Sequence, residues 1–448
     1  MGRPAKVRLA NKTPTMTGSA LARYAERAVQ PTPTKGANET SQAPHQIDRL
    51  PMPMLVFLLM VSLWDGFDVV ALSQTLPELR KSFALSVSEG GQLVGLANSG
   101  TLLGYFLLRR ADSVGRRSIL LSSVLGYSLL SLTSALAPSA ALFLLTQFTA
   151  RIFLVSALGA ASLYISESLP ARKVRSALSL LVATGAFGGV VCALLAPKLM
   201  GTGPGWRSVY LLGAVMLLTV PWGYLHLHET PSFARLTSRV TPSLTAMWTV
   251  QHRRNLLLCS FLWLLTYAAN QSTITFWKEH AVADLSLSAA VAGTYLGLAA
   301  LVAIPMSGFV GPLLNRVGKR RGALIVYGLW TLGILGSYLL PAGPLLRLAL
   351  ACLTSGASGG LIIATAFTTE LFPTAQRGDA MAWSNSLLGR IGFIASPPLM
   401  SMLADAQGWT NTMPYLAVLP LSALVVVWLV PSRRPPPRDD NAPEWSGD

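Results

Sequence analysis

Long apolar runs, separated by short polar gaps, make up most of the chain between residues 51 and 431. A helix needs about 20 consecutive apolar residues to cross the hydrocarbon core of a bilayer, and twelve runs reach this length. They occupy residues 51–76, 92–110, 117–138, 140–168, 176–200, 208–228, 254–277, 289–313, 321–341, 345–369, 380–403 and 413–431. The pattern therefore predicts an all-α integral membrane protein with twelve transmembrane helices.

Polar segments divide this pattern into domains. Residues 1–48 are net basic and rich in Pro, Ser and Thr, and they lack the apolar run of a cleaved signal peptide. We expect a disordered basic cytoplasmic tail here. A polar central loop at 229–253 separates a first six-helix half at 49–228 from a second half at 254–431, and residues 432–448 form a polar cytoplasmic tail.

Composition and charge agree with a membrane-embedded chain. Of the 448 residues, 52% are hydrophobic and only 12% are charged, which is too few charges to cover a soluble surface of this size. The net charge of +16 comes from Lys and Arg in the short gaps, mainly on one side of the predicted bundle. The positive-inside rule places that side in the cytoplasm. The sequence therefore predicts a multi-pass protein of the cell (inner) membrane with both termini cytoplasmic, and a bacterial and a eukaryotic plasma membrane would give the same pattern.

The sequence contains no pattern typical of an enzyme. Cys192, Cys259 and Cys352 lie in separate apolar runs without metal-ligand spacing, and we interpret them as small core residues. The polar segments contain no catalytic triad, phosphate-binding loop or metal-ligand cluster. We expect no cofactor, no nucleic-acid ligand and no obligate protein partner.

An internal repeat relates the two halves. Asp112-Ser113-Val114-Gly115-Arg116-Arg117 corresponds to Asn315-Arg316-Val317-Gly318-Lys319-Arg320, Glu167-Ser168-Leu169-Pro170 to Glu370-Leu371-Phe372-Pro373, and Gly205-Trp206 to Gly408-Trp409. The same 203 residues separate each pair. Two parallel six-helix units with a binding site between them at mid-membrane are an architecture of secondary transporters.

The two repeated loops resemble the signature loops of the major facilitator superfamily, and the resemblance covers all twelve predicted helices. It implies that Asp112 helps to hold one access state. The first copy departs from the family pattern at Leu108 and Ser113, and the second has an amide in place of the acid. The other gating positions that the resemblance implies are Arg116, Arg117, Asn315, Arg316 and Arg320. The alternative is that these loops only carry the cations of a cytoplasmic surface.

Two helix ends resemble the acid-proline-arginine pattern of the same superfamily. Glu167 is followed by Pro170 and Arg175, and Glu370 is followed by Pro373 and Arg377. The resemblance implies charge contacts that form when the cytoplasmic side closes, so Glu167, Glu370 and Arg377 are predicted gating residues. The alternative is a helix that stops before proline and carries solvated charges.

Four ionised side chains lie well inside the predicted spans, away from the residues at their ends. Asp65 and Asp68 are three residues apart in the first helix and share one face. Arg151 in the fourth helix and Arg390 in the eleventh both approach mid-membrane. Because a charge there costs about 2.5–3.5 kcal/mol on insertion scales, such residues are usually functional. We predict that the arginines bind a substrate carboxylate and that the aspartates, Asp65 first, bind a proton. Structural ion pairs among the four are the alternative.

Residues beside these charges are further candidates for substrate binding. The repeat places Gln271, next to Asn270, in register with Asp68, and such amides hydrogen-bond either a substrate or another helix. Three aromatic residues are predicted to form walls of the site, with core packing as the alternative. They are Trp64, Phe67 and Trp383.

Within the superfamily, Asp65-Gly66-Phe67-Asp68, Arg151 and Gly389-Arg390-Ile391-Gly392 look like the bacterial aromatic acid:proton symporter family. That resemblance implies import of benzoate-like, hydroxybenzoate-like or phenoxyacetate-like anions that depends on the first-helix aspartates. The main hypothesis is import of a small organic, aromatic carboxylate by alternating access. Its partners are the organic anion, protons and the lipid bilayer, and a proton gradient is its energy source.

Two other functions stay open at this point. The first is proton-coupled efflux or uptake of another metabolite or drug-like organic ion, and the mid-membrane arginines argue against a cation. The second is a non-transporting membrane sensor, which would need a larger soluble effector domain than the short tails provide.

Overall fold

The protein is almost entirely helical in a computed structural model that describes residues 50–230, 250–372 and 377–430, together with Phe233 and Trp248. The described residues form twelve membrane-spanning helices, numbered here in chain order. They are α1 Met52–Phe83, α2 Val87–Arg109, α3 Arg116–Ala135, α4 Ala140–Ser168, α5 Ala171–Met200, α6 Arg207–His226, α7 Val250–Thr275, α8 Ala289–Val317, α9 Lys319–Leu339, α10 Pro344–Leu371, α11 Arg377–Gln407 and α12 Trp409–Leu429. The predicted twelve-helix, all-α membrane architecture is confirmed. The two tails and most of the central loop lie outside the described residues.

Ten of the described spans are long and apolar enough by composition to cross a membrane, and the more polar α2 and α7 complete the set.

Two helices extend beyond the predicted apolar runs, one at its start and one at its end. α2 begins at Val87 because Ser86 and Glu89 form a capping box, in which each side chain accepts a hydrogen bond from the other residue's backbone N–H. α1 continues to Phe83 and ends at Ala84 in a left-handed conformation.

The repeat reappears in the backbone. Gly115 and Gly318 have φ of 111° and 84° and start α3 and α9, while Gly205 and Gly408 have φ of 61° and 81° at the starts of α6 and α12. Glycine adopts these left-handed values without the steric cost that a Cβ brings. Each pair is 203 residues apart, so both halves use the same turns.

The halves pack closely at the end of the bundle opposite the arginine-rich loops. We call the end that carries the α2–α3 and α8–α9 loops the basic end and the opposite end the far end. A Cβ at Gly91 of α2 would lie 1.8 Å from Ser401 Oγ of α11, and a Cβ at Gly293 of α8 would lie 2.6 Å from Pro197 of α5. These four positions are in the far-end turns of their helices, so the far end is where the two halves meet.

Inside the first half, glycines bring α1 and α5 into backbone contact beside Asp65. A Cβ at Gly66 would lie 1.7 Å from the carbonyl oxygen of Gly185, and one at Gly188 would lie 1.9 Å from that of Leu63. Neither backbone can move aside without shifting a whole helix. The crossing therefore determines where α1 places the Asp65 side chain.

We expect Gly66→Ala to destabilise the protein by about 1–3 kcal/mol, the usual cost of overpacking a tight contact. Gly328→Ala is a matched control, since this glycine is also helical and a Cβ there meets no atom within 4 Å. The melting temperature of the purified protein in detergent measures both. An unchanged melting temperature for Gly66→Ala would show that the crossing is not tight.

Candidate functional site

A cavity of about 340 Å³ lies between the two halves. Its walls come from α1 and α5 of the first half and from α7, α8 and α10 of the second. Most lining residues are apolar, and the polar exceptions stand apart on different helices. These exceptions are Asp65, Asn270, Ser307, Thr354 and Ser358. The cavity therefore suits a small, largely apolar molecule with a few polar groups.

Asp65 is the charged residue in the described lining of this cavity. Its side chain is partly exposed there, and no hydrogen bond or ion pair joins it to any described residue. Arg151 and Arg390 lie close enough for their charges to act on the Asp65 carboxylate. Asp65 is thus a carboxylate with access to the cavity, with two cations nearby and with no paired group among the described residues.

Asp68 is held in a buried ion pair. Arg151 Nη1 lies 3.0 Å from Asp68 Oδ2, and the two side chains are only 4% and 2% exposed. Tyr127 of α3 donates its hydroxyl hydrogen to Asp68 Oδ1 at 3.3 Å, and Arg151 Nη2 also donates to the Asp68 carbonyl oxygen at 3.4 Å. A side chain with this set of partners is fixed in place. The structure therefore pairs one of the two predicted arginines with one of the two aspartates.

Arg390 lies in a different environment. Its guanidinium carbon is 4.9 Å from the centre of the Tyr267 ring and 5.1 Å from that of Phe393, which are cation–π distances. The side chain is half-buried, and no carboxylate among the described residues pairs with it. It follows directly on a π-helical turn, Ala382–Gly389, a local irregularity that often marks functional sites. Arg390 therefore has no ion-pair partner among the described residues, and Asp65 is the carboxylate on which its charge acts.

The remaining substrate-site candidates divide by location. Asn270 lines the cavity, whereas Gln271 donates to Thr275 Oγ1 at 3.1 Å within α7. Phe67 is 1% exposed and packs in the core, with the Trp64 ring 5.1 Å away in an edge-to-face contact. Trp383 makes a similar contact with Trp248 at 5.1 Å. None of these three aromatic candidates is part of the described cavity lining.

At the basic end of the first half, the predicted gating residues form a compact network. Arg116 Nη2 lies 2.7 Å from Glu167 Oε1, and the Arg117 guanidinium donates to the Tyr224 carbonyl oxygen at 2.8 Å. Glu229, which the sequence placed in a polar loop, accepts hydrogen bonds from the backbone N–H groups of Arg116 and Arg117. It therefore caps the N-terminus of α3, where negative charge is favoured. The side chain of Asp112, also a predicted gating residue, lies outside the described part of the structure.

The second half repeats this network with one change. Lys319, at the position equivalent to Arg116, pairs with Glu370, and Arg320 donates to the carbonyl oxygens of Trp428 and Val430 at 3.2 Å. Lys319 was not among the predicted gating residues, although the 203-residue offset places it at the position of Arg116. The other predicted gating residues of this half are more exposed: Asn315 and Arg316 face solvent, and Arg377 Nε donates to the Phe372 carbonyl oxygen at 3.2 Å.

A charge cluster at the far end had not been selected from the sequence. It comprises Glu78 and Arg80 of α1 with Lys278 and Glu279, which follow α7 in the short helix Trp277–Ala283. Arg80 Nη1 lies 2.7 Å from Glu279 Oε2. Lys278 is fully buried, donates to the Gln74 carbonyl oxygen and has Glu78 Oε2 at 3.5 Å. Both ion pairs join the first half to the second, so the far-end charge cluster ties the halves together in the observed conformation.

We expect Glu279→Gln to shift the protein toward a state with the far end open by about tenfold, because Arg80 then loses its counter-charge. Spin labels at Gln92 of α2 and Ala406 of α11, both exposed, report the distance across the far end. Lys81→Gln, which removes an exposed charge next to the cluster, should leave the distance distribution unchanged. Exchanging the charges, in the Arg80→Glu/Glu279→Arg variant, should restore the wild-type distance distribution. If the Glu279→Gln variant shows the same distance distribution as the wild type, the Arg80–Glu279 pair does not hold the far end closed.

Comparisons with known proteins agree with this geometry. The family model described as Major Facilitator Superfamily matches residues 58–389 and 264–446. A putative niacin/nicotinamide transporter of Bacillus subtilis (strain 168) is 27% identical over 354 residues, covering 76% of this chain and 86% of that protein. A gallate transporter of Pseudomonas putida is 29% identical over 384 residues, covering 76% and 83%.

A solved structure shares the fold. A bacterial homologue of the human lysosomal transporter Spinster, in an inward-facing and occupied conformation, matches with a TM-score of 0.71 at 16% identity, covering 84% of this chain and 96% of that one. Twelve helices in the described residues, repeated turns, a cavity between the halves and a family match over nearly the whole membrane region lead to one conclusion: the chain belongs to the major facilitator superfamily of membrane transporters.

Proposed function

We propose that this transporter imports a small aromatic carboxylate together with a proton, by alternating access of its two halves, across a bacterial inner membrane. The observation that carries the proposal is the uneven pairing of the four mid-membrane charges. Asp68 and Arg151 neutralise each other, which leaves Asp65 for a proton and Arg390 for an anion. The names of the relatives, a gallate and a niacin/nicotinamide transporter, support an aromatic substrate.

Asp65 is the proposed proton site. A carboxylate in a mostly apolar cavity pays a large desolvation cost when charged, and binding a proton removes that cost. Asp68 is already stabilised by Arg151 and Tyr127, so it has less to gain from protonation. Its proposed role is to keep Arg151 in place beside Asp65.

Arg390 is the proposed partner of the substrate carboxylate. A guanidinium presents parallel N–H donors that match the two oxygens of a carboxylate. Tyr267 and Phe393 border this guanidinium, and Tyr267 is fixed by donating to Asn385 Oδ1 at 2.7 Å. Aromatic rings in this position offer edge or face contacts to a substrate ring. Arg151, the other predicted anion ligand, acts in this proposal through its pair with Asp68.

In this proposal, the far-end charge cluster determines the order in which the two ends of the bundle open. With the far end closed and the basic end facing the cytoplasm, substrate and proton leave on the cytoplasmic side. Separation of the Arg80–Glu279 and Lys278–Glu78 pairs would then open the cavity to the other side. Because these pairs cross between the halves, breaking them is part of every transport cycle.

We expect Arg390→Gln to weaken binding of an aromatic carboxylate at least tenfold, since each charge-assisted hydrogen bond contributes about 1.5–3 kcal/mol. Ligand-induced stabilisation of the purified protein measures this affinity, with 4-hydroxybenzoate, gallate and nicotinate as ligands. Nicotinamide, which keeps the ring but lacks the carboxylate, is the ligand control, and Arg110→Gln at the basic end is the protein control. Undiminished carboxylate binding by Arg390→Gln would refute the assignment.

A further inference from the structure

A groove of about 310 Å³ lies between α8 and α9, separate from the central cavity. Its walls are apolar, and its floor reaches Ser355 of α10. The groove residues of α8 are centred about 140° around the helix axis from the α8 residues that line the cavity, by the 100° step between successive helical residues. Phe309 and Ile325 on its rim are 65% and 49% exposed. The groove therefore opens on the outer, membrane-facing surface of the second half.

One cation lies at the basic end of this groove. Arg316 lines it, is exposed, and makes no ion pair or hydrogen bond with any described residue. Its neighbours are already engaged, because Lys319 pairs with Glu370 and Arg320 donates to the carbonyl oxygens of Trp428 and Val430. The groove thus ends at a positive charge that no described residue compensates, near the membrane surface.

The helix packing beside the groove differs between the two halves. In the first half, the Phe153 ring of α4 packs against Gly126 of α3, so closely that a Cβ on Gly126 would lie 2.9 Å from the ring. At the equivalent positions, 203 residues later, the second half has Gly356 and Leu329. In the second half Leu329 lines the groove, whereas Gly356 packs against Trp330 of α9, where an added Cβ would lie 2.4 Å from the Trp330 Cβ.

The cation also differs between the halves. The position equivalent to Arg316 is Ser113, whose hydroxyl donates to the Arg110 carbonyl oxygen at 3.0 Å. The cation at the end of the groove is thus a feature of the second half, in a repeat that preserves the glycine turns and the ion pairs Arg116–Glu167 and Lys319–Glu370 at the basic end.

We propose that this groove binds an anionic phospholipid, with one acyl chain between α8 and α9 and the phosphate group at Arg316. An acyl chain fits a narrow apolar groove that is continuous with the membrane-facing surface. Basic pockets between transmembrane helices at the membrane surface recognise anionic headgroups, and each cation near the surface contributes enough to change affinity about fivefold. A free anion would satisfy Arg316 but would leave the apolar groove without an occupant.

Native mass spectrometry of the delipidated full-length protein, titrated with phosphatidylglycerol or phosphatidylcholine of the same acyl chains, tests the proposal. The wild type should retain phosphatidylglycerol about fivefold better. Arg316→Gln should remove this preference, whereas the control Arg110→Gln, another exposed arginine of the basic end, should keep it. Met306→Trp, which fills the groove from its rim, should lower retention of both lipids.

Three results would overturn the proposal. The first is equal retention of the two lipids by the wild type. The second is a phosphatidylglycerol preference that persists in Arg316→Gln. The third is displacement of phosphatidylglycerol by inorganic phosphate alone, which would show an anion site without an acyl-chain site.

Discussion

Replacing Asp65 by Asn is expected to abolish accumulation of substrate against its concentration gradient, lowering gradient-driven uptake to the background of empty vesicles. Asn keeps the size and polarity of the side chain but cannot bind and release a proton. Because the Asp65 carboxylate has no partner among the described residues, the replacement breaks no ion pair and should leave the fold intact. Proteoliposomes loaded and assayed with labelled 4-hydroxybenzoate measure the effect.

The same preparation separates coupling from binding. Exchange of labelled for unlabelled substrate across the membrane needs no net proton movement, so Asp65→Asn should retain it. Asp68→Asn is the matched comparison, because it changes a carboxylate three residues away that is paired with Arg151. Accumulation by Asp65→Asn at the wild-type level would remove Asp65 from the coupling mechanism.

Replacing Arg151 by Ala is expected to cost about 3–5 kcal/mol of stability, because it leaves the Asp68 carboxylate buried without its counter-charge. Removing both charges in the Arg151→Ala/Asp68→Ala double variant should recover most of that loss, since no uncompensated charge is left. Denaturation of the purified single and double variants gives the coupling energy directly.

The double-variant cycle has a clear opposite outcome. If Arg151 acts mainly as a ligand of the substrate, Arg151→Ala will lose binding while its stability stays near that of the wild type. If the two changes add without coupling, the pair seen between Arg151 and Asp68 does not stabilise the fold. Arg390→Ala is the comparison, since that cation has no described carboxylate partner and its removal should cost less stability.

Much of the fold could be predicted from the sequence because membrane spans and turns are local features. Apolar runs determine where helices cross, and a glycine with positive φ starts α3 and again α9. The 203-residue repeat of the sequence recurs in the backbone, where Gly115 and Gly318 make the same turn. The family match confirms the prediction of a transporter rather than an enzyme.

The site was harder to predict because it depends on how the helices are rotated and which of them are neighbours. Asp65 and Asp68 lie about 60° apart around α1, which is enough to direct one toward the cavity and the other toward α3 and α4. The four mid-membrane charges are visible in the sequence, but the sequence does not determine which aspartate pairs with which arginine. Tyr127 resembles any other tyrosine of an apolar run until α3 is placed beside α1.

The far-end charge cluster illustrates a second limit. Glu78 and Lys278 lie just beyond apolar runs, where charges in a membrane protein are ordinarily solvated, so nothing in their spacing indicates that they are partners. The feature that could have singled out Glu78 and Lys278 was their position on the side of the bundle that carries few Lys and Arg residues. Contact between helices of different halves, about 200 residues apart in sequence, is needed to reveal the pairing.

The central claim is that substrate movement is driven by protons and requires a carboxylate. Proteoliposomes with an acidic exterior and a neutral interior should accumulate labelled nicotinate, gallate or 4-hydroxybenzoate, lose the accumulated substrate when an uncoupler is added, and fail to accumulate nicotinamide. Uptake that reaches only the external concentration, whatever the pH gradient, would contradict proton-coupled symport of an aromatic carboxylate.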